Sequence, residues 1–158
     1  MHFAGSREDT KSTSGGFLAL VGENTFFPLS WSSRKQTATS KSTAESEMVS
    51  LSNNLFDEGI PTLNLWQTIT GCETMLRIKE DNEATIKIAR KGFSPKLRCI
   101  QRTHRVNLGA VHEEINKKDV SLEHCPTTEQ AADIFTKSID PQKWRHALDL
   151  LHMIELQT

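Results

Sequence analysis

Three acidic residues stand where an acid is costly. Glu47 comes immediately before the apolar pair Met48-Val49, Asp81 ends an alternating stretch that starts near Thr74, and Asp133 lies between Ala132 and Ile134. A carboxylate on a half-buried element loses hydration and is tolerated where a hydrogen-bond donor or a cation compensates it. Mg2+ is one such cation, because it takes a few carboxylates and completes its shell with water and substrate phosphate oxygens. Each acid taken singly also suits a helix cap or a solvent-facing position. What the three do depends on whether the fold gathers them.

A second feature is basic. No acid occurs between Glu83 and Glu113, while the same segment carries Lys87, Arg90, Lys91, Lys96, Arg98, Arg102 and Arg105, with His104 and His112 alongside. Cations in this density neutralise phosphates and give a salt-dependent affinity for nucleic-acid backbone. A solvated helix face would carry the same charges. The whole chain hides this asymmetry, since 19 basic and 20 acidic side chains leave a formal charge of −1.

The elements that must position these residues alternate between strand and helix patterns. Residues 14–35 read as a hairpin: Ser14-Gly15-Gly16 punctuates, Phe17–Val21 and Leu29–Ser33 form strands, and Gly22-Glu23-Asn24 turns between them. From Ser42 the apolar period becomes helical, with Met48, Leu51 and Leu55 on one stripe, and predicts a helix to about Glu58 that Gly59 and Pro61 interrupt. A second helical piece follows at Thr62–Thr70. A strand over 74–79 ends in Glu80-Asp81-Asn82, and helices are predicted at about Glu83–Lys91 and Thr103–Asn116, with a strand at about Val120–His124. Pro126-Thr127-Thr128 opens another helix, with Thr128 as its N-cap. The last helix starts near Pro141 and carries Trp144, Ala147, Leu148 and Leu151 as a core-packing stripe.

Composition bounds the class. In 158 residues, 36% hydrophobic and 25% charged residues are close to the globular average, so one domain spanning 1–158 is expected, with its core at about 3–140 and a C-terminal helix at about 141–154. No apolar run reaches the length of a membrane span or a signal peptide, so no membrane partner is expected. Cys72, Cys99 and Cys125 are an odd set without C-x-x-C spacing, which suits free thiols and predicts a cytoplasmic or nuclear protein. His104, His112 and Cys99 lack the spacing of common zinc sites.

The motifs in series resemble a known family. Ser12-Thr13-Ser14-Gly15-Gly16, Leu29-Ser30-Trp31-Ser32-Ser33-Arg34-Lys35-Gln36, Ser42-Thr43-Ala44-Glu45-Ser46-Glu47, Asp81-Asn82-Glu83-Ala84, Arg102-Thr103-His104 and Ala132-Asp133-Ile134-Phe135-Thr136-Lys137 are similar, in order and spacing, to the signatures of the ribonuclease H domain of copia-type retrotransposon polyproteins. The resemblance runs from Phe3 to about Leu151. It implies an α/β fold, a central mixed sheet flanked by helices, and hydrolysis of the RNA strand of an RNA–DNA hybrid. It also implies a polyprotein context with protease, integrase and reverse transcriptase, and two Mg2+ ions held by acidic residues.

Carried onto this chain, the family's catalytic and metal-holding acids match Glu47, Asp81 and Asp133. Glu45 matches the first acid of the family's E-A-E. Residues two apart on an ideal helix point about 200° away from each other, so one of Glu45 and Glu47 faces a common site. The basic run itself sets Lys87, Arg90, Lys91, Arg98, Arg102, His104 and Arg105 as the expected nucleic-acid-binding residues. The family opens with D-A-D-[WF]-A-G, and aligning Phe3-Ala4-Gly5 with its end sets the leading Asp one position before Met1. The expectation is therefore a ribonuclease H-like fold lacking most of its first strand, in which hydrolysis is weak or absent, with His2, Glu8 and Asp9 as poor substitutes for the missing acid. The alternatives are a non-catalytic nucleic-acid-binding remnant and a fragment with no function of its own. His124, near a loop where cellular ribonucleases H carry a mobile histidine, is expected to be structural.

Overall fold

The structure, a computed structural model, describes residues 11–153. Strands β1 (Thr13–Gly22) and β2 (Thr25–Lys35) run antiparallel on either side of the turn Glu23-Asn24. Leu18 faces Ser30 and Ala19 faces Pro28, which leaves Leu29 as an extra residue on β2. Proline cannot donate to a ladder, and a bulge is where a strand tolerates it.

Gly15 and Gly16, expected as punctuation before the first strand, lie inside β1 because other elements press onto its backbone. A Cβ at Gly16 would overlap the Asn54 amide, and one at Gly15 would overlap the Thr136 side chain. Asn54 Nδ2 donates to the Gly15 carbonyl at 3.0 Å and its Oδ1 accepts from Ser32 Oγ at 3.2 Å. Gly16→Ala is accordingly expected to destabilise the fold by about 1–3 kcal/mol, the usual cost of overpacking. Urea denaturation reads this out, and an unchanged midpoint would show that Asn54 is not seated on β1.

Helix α1 (Thr43–Asn54) starts at Ser42, whose hydroxyl accepts the Glu45 N–H at 3.2 Å. Glu45 Oε2 in turn accepts the Lys41 N–H at 2.7 Å, so the S-x-x-E spacing works as a capping box shifted by one residue. The expected interruption at Gly59 and Pro61 takes the form of one wide turn, residues 55–59, in which the Ile60 N–H reaches the Leu55 carbonyl. The chain then continues as α2 (Ile60–Thr70), with Pro61 in the first turn, where its missing N–H costs no helical bond.

Strands β3 (Leu76–Glu80) and β4 (Val120–His124) pair in parallel, from Leu76 opposite Val120 to Glu80 opposite His124. The crossover between them carries α3 (Glu83–Lys91), α4 (Ile100–His104) and α5 (Leu108–Ile115). The single helix expected over Thr103–Asn116 is broken. Arg105 turns left-handed at φ 61°, Val106 is driven into the core at 1% exposure, and Asn107 caps α5 by accepting the Gly109 and Ala110 N–H groups. Met48, Val49, Leu51 and Leu55 pack here against Ile86, Ala89, Val111 and Leu122.

The described residues are thus mixed α/β, with two separate two-stranded sheets rather than one central mixed sheet. Phe3-Ala4-Gly5, where the first strand was expected to end, and His2, Glu8 and Asp9 lie outside the described residues. The helix expected after Pro126 is instead two short 3-10 turns, Thr127–Glu129 and Ala131–Phe135, so Thr128 caps no α-helix. Helix α6 (Pro141–Leu150) starts on the Asp140 carboxylate, which accepts the Gln142 N–H. Its stripe is only partly core. Ala147 and Leu151 are buried, but Trp144 remains 49% exposed because one edge of the helix alone meets the protein. Among the described residues no helix is long and apolar enough to cross a membrane.

Candidate active site

Asp81 owes its position to two local rules. Strand β3 alternates, so Leu76, Ile78 and Glu80 turn inward while Arg77 and Lys79 face solvent. Asn82 then caps α3, accepting the Ala84 and Thr85 N–H groups at 2.9 and 3.2 Å, which fixes the exit of the strand and leaves Asp81 at its carboxyl end.

Asp133 is brought to the same place by long-range bonds. Thr127 Oγ1 donates to Asp81 Oδ2 at 3.0 Å and Gln130 Nε2 donates to the Lys79 carbonyl at 3.2 Å, tying the segment to β3. On the other side Ser33 Oγ donates to the Phe135 carbonyl at 2.6 Å, and Phe135 stacks on Phe17 of β1. The 3-10 turns therefore bridge the end of β3 and the first hairpin, with Asp133 between.

Glu47 completes the group from α1. Burial raises its carboxyl above the usual range, the negative charge of Asp81 adds to this, Lys137 opposes it, and Asp133 raises it further. Glu47 therefore feels the charge of both other acids named from the sequence. Lys137 is the cation among them. Its Nζ donates to both oxygens of Asp133, at 2.8 and 2.9 Å. Burial alone would lower its ammonium, but the bond and charge of Asp133, with the charges of Asp81 and Glu47, raise it above its ordinary value.

A further acid belongs here. Glu80 is 7% exposed and accepts the Asn82 N–H at 3.1 Å. Burial pushes its carboxyl up to about 8, with the Glu47 charge adding to the rise, the Asn82 N–H opposing it and Asp81 adding again. Its inward place is readable in the L-R-I-K-E alternation, a signal the acid-by-acid reading passed over.

The two acids at the start of α1 part company. While Glu47 faces this group, Glu45 is buried against His104, with Glu45 Oε1 3.7 Å from His104 Nε2. The His104 side chain is 1% exposed, which turns it away from the phosphate-facing place expected for it. Its Nε2 has no hydrogen-bond partner and borders a cleft of about 160 Å3 that Arg34, Lys35, Gln36, Thr37 and Asn53 also line. Gln36 anchors this corner, donating from Nε2 to Ser14 Oγ and to the Ser46 carbonyl, both at 2.9 Å.

The basic segment is divided between structure and surface. Arg90 donates to the Leu122 carbonyl at 2.8 Å, and Lys87 pairs with Glu83 one turn back at 2.9 Å. Lys91, Lys96, Arg98, Arg102 and Arg105 are exposed. His112 contacts Asn116 at the end of its own helix and packs against Gly92, where α3 ends.

All donors at the carboxylate group are hard oxygens, and the Glu47 carboxyl is raised first by burial and then by the charges of Asp81 and Asp133. That chemistry fits a divalent ion such as Mg2+. The geometry is not drawn together on one ion, since among the described residues no three His, Cys, Asp or Glu side chains are placed to hold a metal. No family model matches the chain, and no solved structure matches it.

Proposed function

We propose that the chain carries a ribonuclease H-type site that hydrolyses the RNA strand of an RNA–DNA hybrid only weakly, within a retrotransposon polyprotein beside reverse transcriptase and integrase. The observation that supports this most is the Glu47 carboxyl, raised by burial and by the charges of Asp81 and Asp133. A carboxyl buried beside two further acids is one that a divalent ion would stabilise. Glu47, Asp81 and Asp133 would hold such ions, which, when bound, supply an activated water and stabilise the leaving oxygen.

The chain's own residues prepare that site. Thr127 orients the Asp81 carboxyl through its hydroxyl, and the Asn82 cap sets the backbone beneath it. The exposed cations of residues 91–105, and Arg34 and Lys35 beside the cleft, offer positive charge to phosphates. A second reading is a module that binds nucleic acid without cutting it. It is favoured by the Lys137–Asp133 pair, which already neutralises one of the three acids.

A labelled RNA–DNA hybrid separates the two. Mg2+-dependent cleavage confined to the RNA strand supports the nuclease. Binding without cleavage, indifferent to Mg2+, supports the second reading. In either case Arg98→Ala together with Arg102→Ala is expected to reduce the slope of log affinity against log salt by about 2, at about 0.9 per phosphate contact. An unchanged slope would remove the basic segment from the interface, and a chain that neither binds nor cuts would sink both readings.

A further inference from the structure

We propose that Trp31, with Lys35 on the same face of β2, forms a binding site for single-stranded nucleic acid, in which the indole stacks on an unpaired base and the ammonium meets the backbone phosphates. The site goes beyond the hydrolytic reading and stands whether or not the chain cuts. Trp31 is 66% exposed although it lies inside an 11-residue strand rather than in a loop. A single exposed apolar side chain is ordinary on a protein surface. What sets Trp31 apart is its company.

Strand alternation puts Trp31, Ser33 and Lys35 on one face, because the register runs unbroken from Phe17 opposite Trp31 to Thr13 opposite Lys35. Ser33 is where the turn carrying Asp133 docks, its hydroxyl donating to the Phe135 carbonyl at 2.6 Å. Trp31 and Lys35 therefore flank that docking point, each about 7 Å along the strand from Ser33 at about 3.3 Å per residue. A nucleic-acid strand held by both runs past the Asp133 turn. The strand beneath the indole is itself braced, since Phe17 stacks on Phe26 and on Phe135, with ring centroids 6.2 Å apart in each pair. A ring presented from a braced strand loses little freedom on binding.

Charge names the occupant. No acid occurs between Glu23 and Glu45, while the same stretch carries Arg34, Lys35 and Lys41, all exposed. Arg34 meets Asp57 at 3.5 Å, but both side chains are more than half exposed, so solvent and salt screen the pair. An aromatic face among cations complements a polyanion that carries flat apolar rings. Stacking on a side chain needs a base whose face is not already covered within a duplex, so the ligand is single-stranded.

Fluorescence anisotropy of labelled oligothymidylate and oligouridylate with the full chain tests this, against a blunt-ended DNA duplex of equal length. Trp31→Ala is expected to weaken binding of the single strands about tenfold, within the range for loss of one base stack, and to leave duplex binding unchanged. Trp31→Phe, which keeps a flat ring, should recover most of the loss. Lys35→Ala should lower the slope of log affinity against log salt by about 0.7, whereas Trp31→Ala should leave the slope as it is. Single strands that do not bind, or that bind Trp31→Ala as tightly as the original chain, overturn the proposal. An equal loss for the duplex overturns the unpaired-base contact. Self-association that Trp31→Ala removes would make this face an interface between copies of the chain, and likewise overturn it. Should Trp31→Ala fail to fold, Trp31→Leu, apolar but without a ring, must show the same selective loss. Hybrid cleavage enters none of these readouts, so the nuclease reading and the stacking site fail separately.

Discussion

Asp81→Asn is expected to abolish the weak Mg2+-dependent hybrid cleavage of the chain while leaving the protein folded and slightly more stable. The amide has the shape of the carboxyl, and its Oδ1 still accepts the bond that Thr127 donates at 3.0 Å. Asn82 continues to cap α3, since its side chain is not involved in the change. The substitution removes one of the charges that raise Glu47, so the Glu47 carboxyl should move back toward its ordinary range, visible in a side-chain NMR titration. Activity falls because a metal-holding oxygen is replaced by a neutral group. Several kcal/mol of transition-state stabilisation, at about 1.4 kcal/mol per tenfold, sets the scale. Cleavage that persists at the original rate would remove Asp81 from the chemistry.

Glu80→Gln should change the pH dependence of stability more than any other single substitution in this region. Glu80 has a carboxyl raised from 4.5 to about 8, so the folded chain holds its proton more tightly than the unfolded chain does. Below about pH 4.5 both states are protonated and the full stability is present. Between there and about 8 the unfolded chain ionises first, and stability falls by up to about 1.4 kcal/mol per pH unit for this one proton. Above about 8 both states are ionised and the loss is complete, on the order of a few kcal/mol. Glutamine retains an oxygen for the Asn82 N–H and cannot ionise. Urea denaturation over pH 5–9 should therefore show the variant gaining on the original chain as pH rises, and parallel curves would refute the buried-acid assignment. Glu47, raised in the same direction, leaves the variant with a residual slope.

Where local chemistry dominates, element bounds follow directly from neighbouring residues. Helix α3 spans Glu83–Lys91 because Asn82 caps one end and Gly92, left-handed at φ 70°, closes the other. Strand β4 spans Val120–His124, as its alternation of Val120 and Leu122 with polar neighbours predicts. The break between α4 and α5 was not legible in the apolar period, because Val106 fits that period while its neighbour Arg105 leaves the helix. The Asn107 cap is the signal that marks the new start. Trp144 shows the converse, since helical spacing gives a stripe but not the width of the face that covers it.

Sequence alone determined the local elements on which Glu47 and Asp81 sit. The alternation of β3, the caps of α1 and α3 and the run of cations are all properties of near neighbours, so they survive without knowledge of the rest. Tertiary structure decided what those residues do to one another. It buried Glu80, turned Glu45 toward His104 and away from Glu47, and hung Asp133 between the hairpin and β3 through Ser33, Thr127 and Gln130. It also set Lys137 on Asp133. The cost of a carboxylate depends on lost water and on the charges of groups distant along the chain, and both exist only once the chain has folded.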